Sequence, residues 1–302
     1  MSGAGEESGA APCLFPNFDL KGGLRPADAT RVMKLRRSPL AVASSTPDPN
    51  LDMDGTPALV FQPAVDLSSG RLLGFEALLR WSDSSGSDIP PDVLIPLAEA
   101  QGHMSELNAW VLSEACKQAA QWSSDLQLAV NCSIFQLHRG DAAMAAASAL
   151  EQSGLNPDRL TVEITETSLT DDQAASDLSV MTRLGIQLTV DDVGEDWSVL
   201  QNLRDCVVNT VKIHGSIIAG LTDPDGKSRA VAEKIVEVSR PLGICTVAEA
   251  VETSEQVAIL REIGAETAQG YFFSPPMGPD EAAALAGMSP RPRFALVLPP
   301  AP

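Results

Sequence analysis

From residue 58 onward, apolar runs rich in β-branched side chains alternate with longer amphipathic stretches. The runs predict eight strands, at residues 58–65, 72–79, 126–131, 160–165, 187–191, 210–213, 244–249 and 267–272. The amphipathic stretches predict helices at 91–100, 105–122, 141–153, 171–184, 227–242 and 254–263. Ser105 is placed to cap its helix, and Gly185, Gly243 and Gly264 each stand just past a helix, where a left-handed terminator costs glycine little. Strands alternating with helices imply parallel pairing through helical crossovers, so the expected fold is α/β, a TIM-like (β/α)8 barrel. Its start is irregular, because the turn at 66–70 is too short for a helix and makes the first strand antiparallel to the second.

Four charges interrupt these apolar runs. Glu76 lies between Phe75 and Ala77, Glu163 between Val162 and Ile164, Lys212 between Val211 and Ile213, and Glu249 follows Val247 and Ala248. A charge inside a buried strand is costly unless something compensates it. Asp191 and Asp192 end another run and precede Gly194, which suits a bridge between two hard divalent cations and equally suits ordinary turn chemistry. Asn131 offers a neutral oxygen ligand, or else is a strand-end turn residue. Lys212 would orient a water, stabilise a developing phosphorane, or neutralise carboxylates. Arg80 has the planar fork that grips a phosphate oxygen, although a surface salt bridge explains it as well. In a (β/α)8 barrel such scattered residues converge, because the reacting groups stand at the C-terminal ends of several strands. His103, His138 and His214 form no ligand pair at short spacing, so the oxygen-rich set favours magnesium or manganese over zinc. Trp110 and Trp122 read as core.

Composition narrows the picture. The chain has 302 residues, 44% of them hydrophobic, enough for one barrel with a tail. Residues 1–55 show no sustained period and are expected to be a mostly disordered tail, with a basic cluster at Arg25, Arg31, Lys34, Arg36 and Arg37. The barrel domain is expected over 56–288 and a second tail over 289–302. No apolar run approaches the roughly 20 residues of a membrane span. Five cysteines without CxxC spacing suggest buried thiols in a cytoplasmic protein. A formal charge of −19 argues against nucleic acid as partner.

The residues at the strand ends also resemble a known signature. Glu76-Ala77-Leu78-Leu79-Arg80-Trp81 is similar to the motif that names the EAL domain family. Phe61-Gln62-Pro63, Val130-Asn131-Cys132-Ser133, Glu163-Ile164-Thr165-Glu166, Asp191-Asp192, Val247-Ala248-Glu249-Ala250-Val251-Glu252-Thr253 and Gln269-Gly270-Tyr271 resemble further motifs of the family, in order, over about residues 57–280. The resemblance implies a phosphodiesterase that hydrolyses cyclic di-GMP, a bacterial second messenger, to linear pGpG with two magnesium or manganese ions. It implies metal ligation by Glu76, Asn131, Glu163, Asp191, Asp192 and Glu249, with Glu249 and Lys212 as the catalytic pair. Gln62, Arg80 and Gln269 would contact substrate, and Glu166 and Glu252 would support the site. A homodimer is implied too. A stand-alone EAL protein is expected, because no cyclase or sensory module fits in the residues upstream, so an unknown protein partner is one source of regulation.

Two departures from the family pattern are visible. Val193-Gly194-Glu195-Asp196-Trp197-Ser198-Val199 replaces the usual glycine-rich loop, and His214 stands where the motif carries aspartate. Ala250 in place of glycine reads as a milder change. The two departures motivate an alternative: a catalytically weak or inactive domain acting as a cyclic di-GMP receptor or protein-interaction module.

Overall fold

The first two strands form one long hairpin. β1 (Gly55–Asp66) and β2 (Leu72–Asp83) pair antiparallel through almost their whole length. Asp66 fixes their turn: its Oδ1 accepts the Ser69 amide at 2.7 Å and the Ser68 hydroxyl at 2.6 Å. The computed structural model describes residues 55–169, 171–194, 208–288, 292–294 and 296. Of the tails expected over 1–55 and 289–302, residues 1–54, 289–291, 295 and 297–302 lie outside the described residues, as do residues 195–207, which include most of the altered loop; Gly55 opens β1, and the Phe294 amide donates to the Gly70 carbonyl at 2.7 Å.

Beyond the hairpin come β3 (Asp88–Ile89), α1 (Pro91–Gln101), α2 (Met104–Ala119), β4 (Gln127–Asn131), α3 (Ile134–Arg139) and α4 (Asp141–Ser153). Then come β5 (Leu160–Thr165), α5 (Glu166–Leu169), α6 (Ala175–Leu184), β6 (Gln187–Val193), β7 (Thr210–Ile213) and α7 (Gly215–Ala219). The described chain continues with α8 (Lys227–Ser239), β8 (Cys245–Ala248), α9 (Ser254–Ile263), β9 (Thr267–Gln269) and α10 (Pro279–Ala286). The sheet runs β1-β9-β8-β7-β6-β5-β4-β2 and closes through the β1–β2 pairing, with β3 appended to β2. β2 and β4 through β9 run parallel in succession, while β1 is antiparallel to both neighbours. This is the expected barrel with its irregular first strand, and closure leaves no long open edge.

The helices shield the barrel wall. Phe61 and Phe75 from the hairpin meet Trp122 at ring-centroid distances of 5.5 and 4.8 Å, which docks the end of α2 against the first two strands. A smaller apolar cluster of Trp81, Leu94, Ala98, Met104 and Leu107 holds the protruding end of β2 against α1 and α2. Among the cysteines, Cys116, Cys132 and Cys245 are buried thiols.

Several boundaries differ from expectation for local reasons. α2 begins at Met104, so Ser105 is inside the helix and does not cap it; its hydroxyl donates instead to Asp141 Oδ2 at 2.7 Å, tying α2 to α4. Asp171 accepts the amides of Gln173 and Ala174, which makes a turn of the segment before α6. α8 gives way to a 3-10 turn at Arg240–Leu242, where Pro241 ends the α-helical pattern. Gly185, Gly243 and Gly264 do end their helices with positive φ, at 89°, 69° and 84°.

Candidate active site

Parallel strands bring their C-terminal ends to one rim, and the charged interruptions of the apolar runs meet there. Lys212 is 1% exposed. Its Nζ donates to Glu249 Oε1 at 2.7 Å, Glu163 Oε2 at 2.9 Å and Glu76 Oε2 at 3.2 Å, and stands 3.6 Å from Asp191 Oδ1. Glu76 is held from two further sides: Asn131 Nδ2 donates to Oε1 and Gln269 Nε2 donates to Oε2, each at 2.7 Å. Gln269 Nε2 also reaches Glu249 Oε1 at 3.3 Å. The register explains the convergence, because Asn131 pairs beside Glu163 and Thr165 beside Asp191.

Adjacent strand residues ordinarily face opposite ways, which would separate Asp191 from Asp192. Here the β6–β7 register breaks between Val190 and Val193, and Asp192 takes a left-handed φ of 60°. The irregularity turns both carboxylates toward the mouth, as β-bulges beside active sites do. Asp191 Oδ1 accepts the Asp192 amide at 2.9 Å. Oxygens of Asp191, Asp192 and Glu249 lie within 4.8 Å of one another.

Four carboxylates around one ammonium leave an excess of negative charge. Burial pushes the Glu163 carboxyl well above its ordinary range, and the nearby Glu76 charge pushes it further. Burial raises Asp191 as well, against the pull of Lys212. Glu249 is pushed up to about 7 by burial, with Asp191 and Glu76 adding to it. Glu76 is buried too, but Lys212 and the amides of Gln269 and Asn131 outweigh that burial and hold it below the usual value. Lys212 rises well above an ordinary lysine, since the surrounding carboxylates overcome its own burial. Such a cluster holds protons or takes up cations. All-oxygen donors, a carboxylate surplus and ligand atoms at chelating distance fit a hard divalent ion.

A cleft of about 620 Å³ opens beside the cluster, with Asn131, Glu163 and Asp191 at one end and Arg80, Ile95, Glu99, Met104 and Asn108 along its wall. That volume is in the range of small-molecule sites. Arg80 is half-buried, with Nη1 donating to the Leu79 carbonyl at 2.8 Å. Gln62 lies directly across the hairpin from Glu76. The structure therefore gathers Glu76, Asn131, Glu163, Asp191, Lys212, Glu249 and Gln269 in one network, with Asp192 at its edge and Arg80 on the cleft wall. Glu252 is not in it: the residue is exposed, and its amide donates to Gln256 Oε1 at 2.8 Å as α9 begins. Glu166 opens α5 directly beyond β5. Sequence reasoning gave no role to Glu99 or Asn108, whose place in amphipathic helices gives no sign of a cleft.

An eight-stranded α/β barrel with an anionic, oxygen-rich cluster at the C-terminal mouth is the class that this fold and site define. The sequence model of the EAL domain matches residues 54–276, and the chain belongs to the EAL domain family. It is 36% identical over 230 residues to the oxygen sensor protein DosP of Escherichia coli K12, covering 74% of this chain and 28% of DosP. It is 35% identical over 225 residues to the cyclic di-GMP phosphodiesterase NbdA of Pseudomonas aeruginosa, covering 72% of this chain and 29% of NbdA. The chain thus spans less than a third of the length of either relative. A solved structure of the MucR phosphodiesterase of Pseudomonas aeruginosa in complex with c-di-GMP superposes with a TM-score of 0.70 at 31% identity, over 74% of this chain and 93% of that one. Among the described residues, no helix is long and apolar enough to cross a membrane.

Proposed function

We propose that the protein hydrolyses cyclic di-GMP to linear pGpG, assisted by two magnesium or manganese ions. The observation that carries this reading is the set of four carboxylates, from four different strands or their ends, within 3.6 Å of the buried Lys212 ammonium, with Glu163 and Asp191 lining a cleft. Glu76, Asn131, Glu163, Asp191, Asp192 and Glu249 would hold the ions. Bound there, they supply an activated water and neutralise charge on the phosphoryl oxygens.

The protein's own groups do the rest. Arg80 grips a phosphate oxygen from the cleft wall, its planar fork fixing the orientation of the ester. Lys212 orients the attacking water and stabilises the charge that develops on the phosphoryl oxygens as the P–O3′ bond breaks, the freed 3′-oxygen taking up a proton from solvent. Glu249, whose Oε1 lies 2.7 Å from Lys212 Nζ, is placed to accept that water's proton. Gln269 keeps Glu76 and Glu249 in register, and Gln62 stands opposite Glu76 to meet the substrate. We read the setting as cytoplasmic and the working form as a homodimer, as the family resemblance implies.

Replacing Asp191 with alanine should abolish magnesium-dependent formation of pGpG, and Arg80→Ala should raise KM more than it lowers kcat. Unchanged turnover in Asp191→Ala would sink the assignment. Cyclic di-GMP binding by the wild type without turnover would support the receptor reading, which His214 and the altered loop favour.

A further inference from the structure

Glu249 follows β8 and stands between Lys212 of β7 and Gln269 of β9, its Oε1 2.7 Å from the first and 3.3 Å from the second. On the β9 side the backbone just beyond it is fixed. The Val251 amide donates to the Gln269 carbonyl at 3.0 Å, and the Val251 carbonyl accepts the Phe272 amide at 2.9 Å. Gly270 lies so close to this segment that a methyl group on it would stand 2.2 Å from the Val251 nitrogen and oxygen. On the β7 side the bond is longer, 3.3 Å from the Glu249 amide to the Ile213 carbonyl.

Two small residues meet on that looser side. Ala250 stands where the family motif carries glycine, and it takes a φ of 49°. Gly215, the first residue of α7, has no positive φ and so no backbone need to be glycine. What it supplies is room. A methyl group there would stand 3.1 Å from Ala250 Cβ, inside the roughly 3.5–4.0 Å optimum for two carbons.

We propose that Gly215 and Ala250 form a complementary pair that positions Glu249 against Lys212, Gly215 lacking a side chain where Ala250 carries one. The inference rests on the phosphodiesterase reading for the role of Glu249 and adds two positioning residues to it. A side chain at position 215 pushes Ala250 away from α7. Because Val251 is held by β9 and the chain after it, the segment turns about Val251, and the displacement falls on the Ile213 bond and on the Lys212 contact beside it. Misplacement by about 1 Å costs on the order of 100-fold in rate, so a shift of a few tenths of an ångström costs about three- to tenfold.

The test measures kcat and KM for Mn2+-supported pGpG formation by the full chain carrying Gly215→Ala, Ala250→Gly or both, well below the melting temperature. Gly215→Ala should lower kcat about three- to tenfold and leave KM nearly unchanged. Adding Ala250→Gly, which removes the opposing methyl group, should restore kcat. A merely structural role would lower the melting temperature of Gly215→Ala and leave its kcat alone. Unchanged kcat in Gly215→Ala, or a loss that Ala250→Gly does not recover, would overturn the proposal. Crystal structures of the wild type and Gly215→Val read the same geometry without turnover: the larger side chain should open the Lys212 Nζ to Glu249 Oε1 contact past about 3.2 Å. An unchanged contact overturns the positioning role. A wild type that makes no pGpG, with the contact opened in Gly215→Val, removes the phosphodiesterase reading and leaves the pair in place.

Discussion

Lys212 neutralises part of a cluster that its own strand could not otherwise bury. Removing one partner of a buried ionic network leaves uncompensated charge and costs about 3–5 kcal/mol. Lys212→Met should therefore destabilise the metal-free protein by about that much in denaturant titration, with part of the loss recovered by Mg2+. An unchanged midpoint would show that the carboxylates simply take up protons. Ala250 behaves differently from its reading as a mild change. It holds a left-handed φ of 49°, which costs a side-chain-bearing residue about 1–2 kcal/mol. Glycine there would relieve that cost but add unfolded-state entropy of about 0.4–1 kcal/mol, so Ala250→Gly should stabilise by roughly 0.5–1 kcal/mol. A lower melting temperature for that variant would refute the presence of strain. The charged interruptions at Glu76, Glu163, Lys212 and Glu249 were legible because each breaks an apolar run. The strain at Ala250 was not, since a dihedral angle leaves no mark in composition.

The barrel places its functional groups through small irregularities of its elements. The eight strands were readable from their runs, but the break in β6 that turns Asp191 and Asp192 the same way was not, because nothing in Val190-Asp191-Asp192-Val193 announces a register shift. Capping explains how the segment after Glu249 is held. Thr253 Oγ1 accepts the Gln256 amide at 3.2 Å, and Gln256 Oε1 accepts the amides of Thr253 at 3.0 Å and Glu252 at 2.8 Å. Glu252 was placed at the site by motif alone, whereas the cap turns its backbone into α9 and leaves its side chain in solvent. Thr253→Ala should cost about 1 kcal/mol of stability in denaturant titration. A cost below a few tenths would mean that the packing of α9, and not its cap, fixes this end. Ser105 shows the converse error, a good capping residue whose hydroxyl is recruited by Asp141 across helices.

Over the whole molecule, closure of the sheet turns separate acids into one electrostatic unit, and that unit sets how stability responds to pH. Glu163, Asp191 and Glu249 all bind protons more tightly in the fold than in an unfolded chain, with Glu249 raised from 4.5 to about 7. The folded, metal-free protein holds protons that the unfolded chain releases, so this stability is present at low pH and is lost as pH rises through about 7. Glu76 opposes this only at acid pH, where its lowered value matters. The melting temperature without metal should fall between about pH 5.5 and pH 8, and saturating Mg2+ should flatten or reverse the slope, because metal binding requires deprotonated ligands. A metal-free melting temperature that climbs across that window would contradict the charge surplus. Barrel closure itself was legible from eight alternating runs and one short turn. The cleft was not, because part of its wall comes from α1 and α2, whose patterns look like any shielding helix.

Hydrolysis of a cyclic dinucleotide at this mouth is tested most directly by incubating the purified protein with cyclic di-GMP and Mg2+ or Mn2+ in 18O-labelled water. The product is resolved and weighed, with Glu76→Ala run beside the wild type. The predicted result is metal-dependent pGpG carrying one 18O in its terminal phosphate, absent from the variant. Undiminished product from Glu76→Ala, or no product from the wild type with either metal, would contradict it.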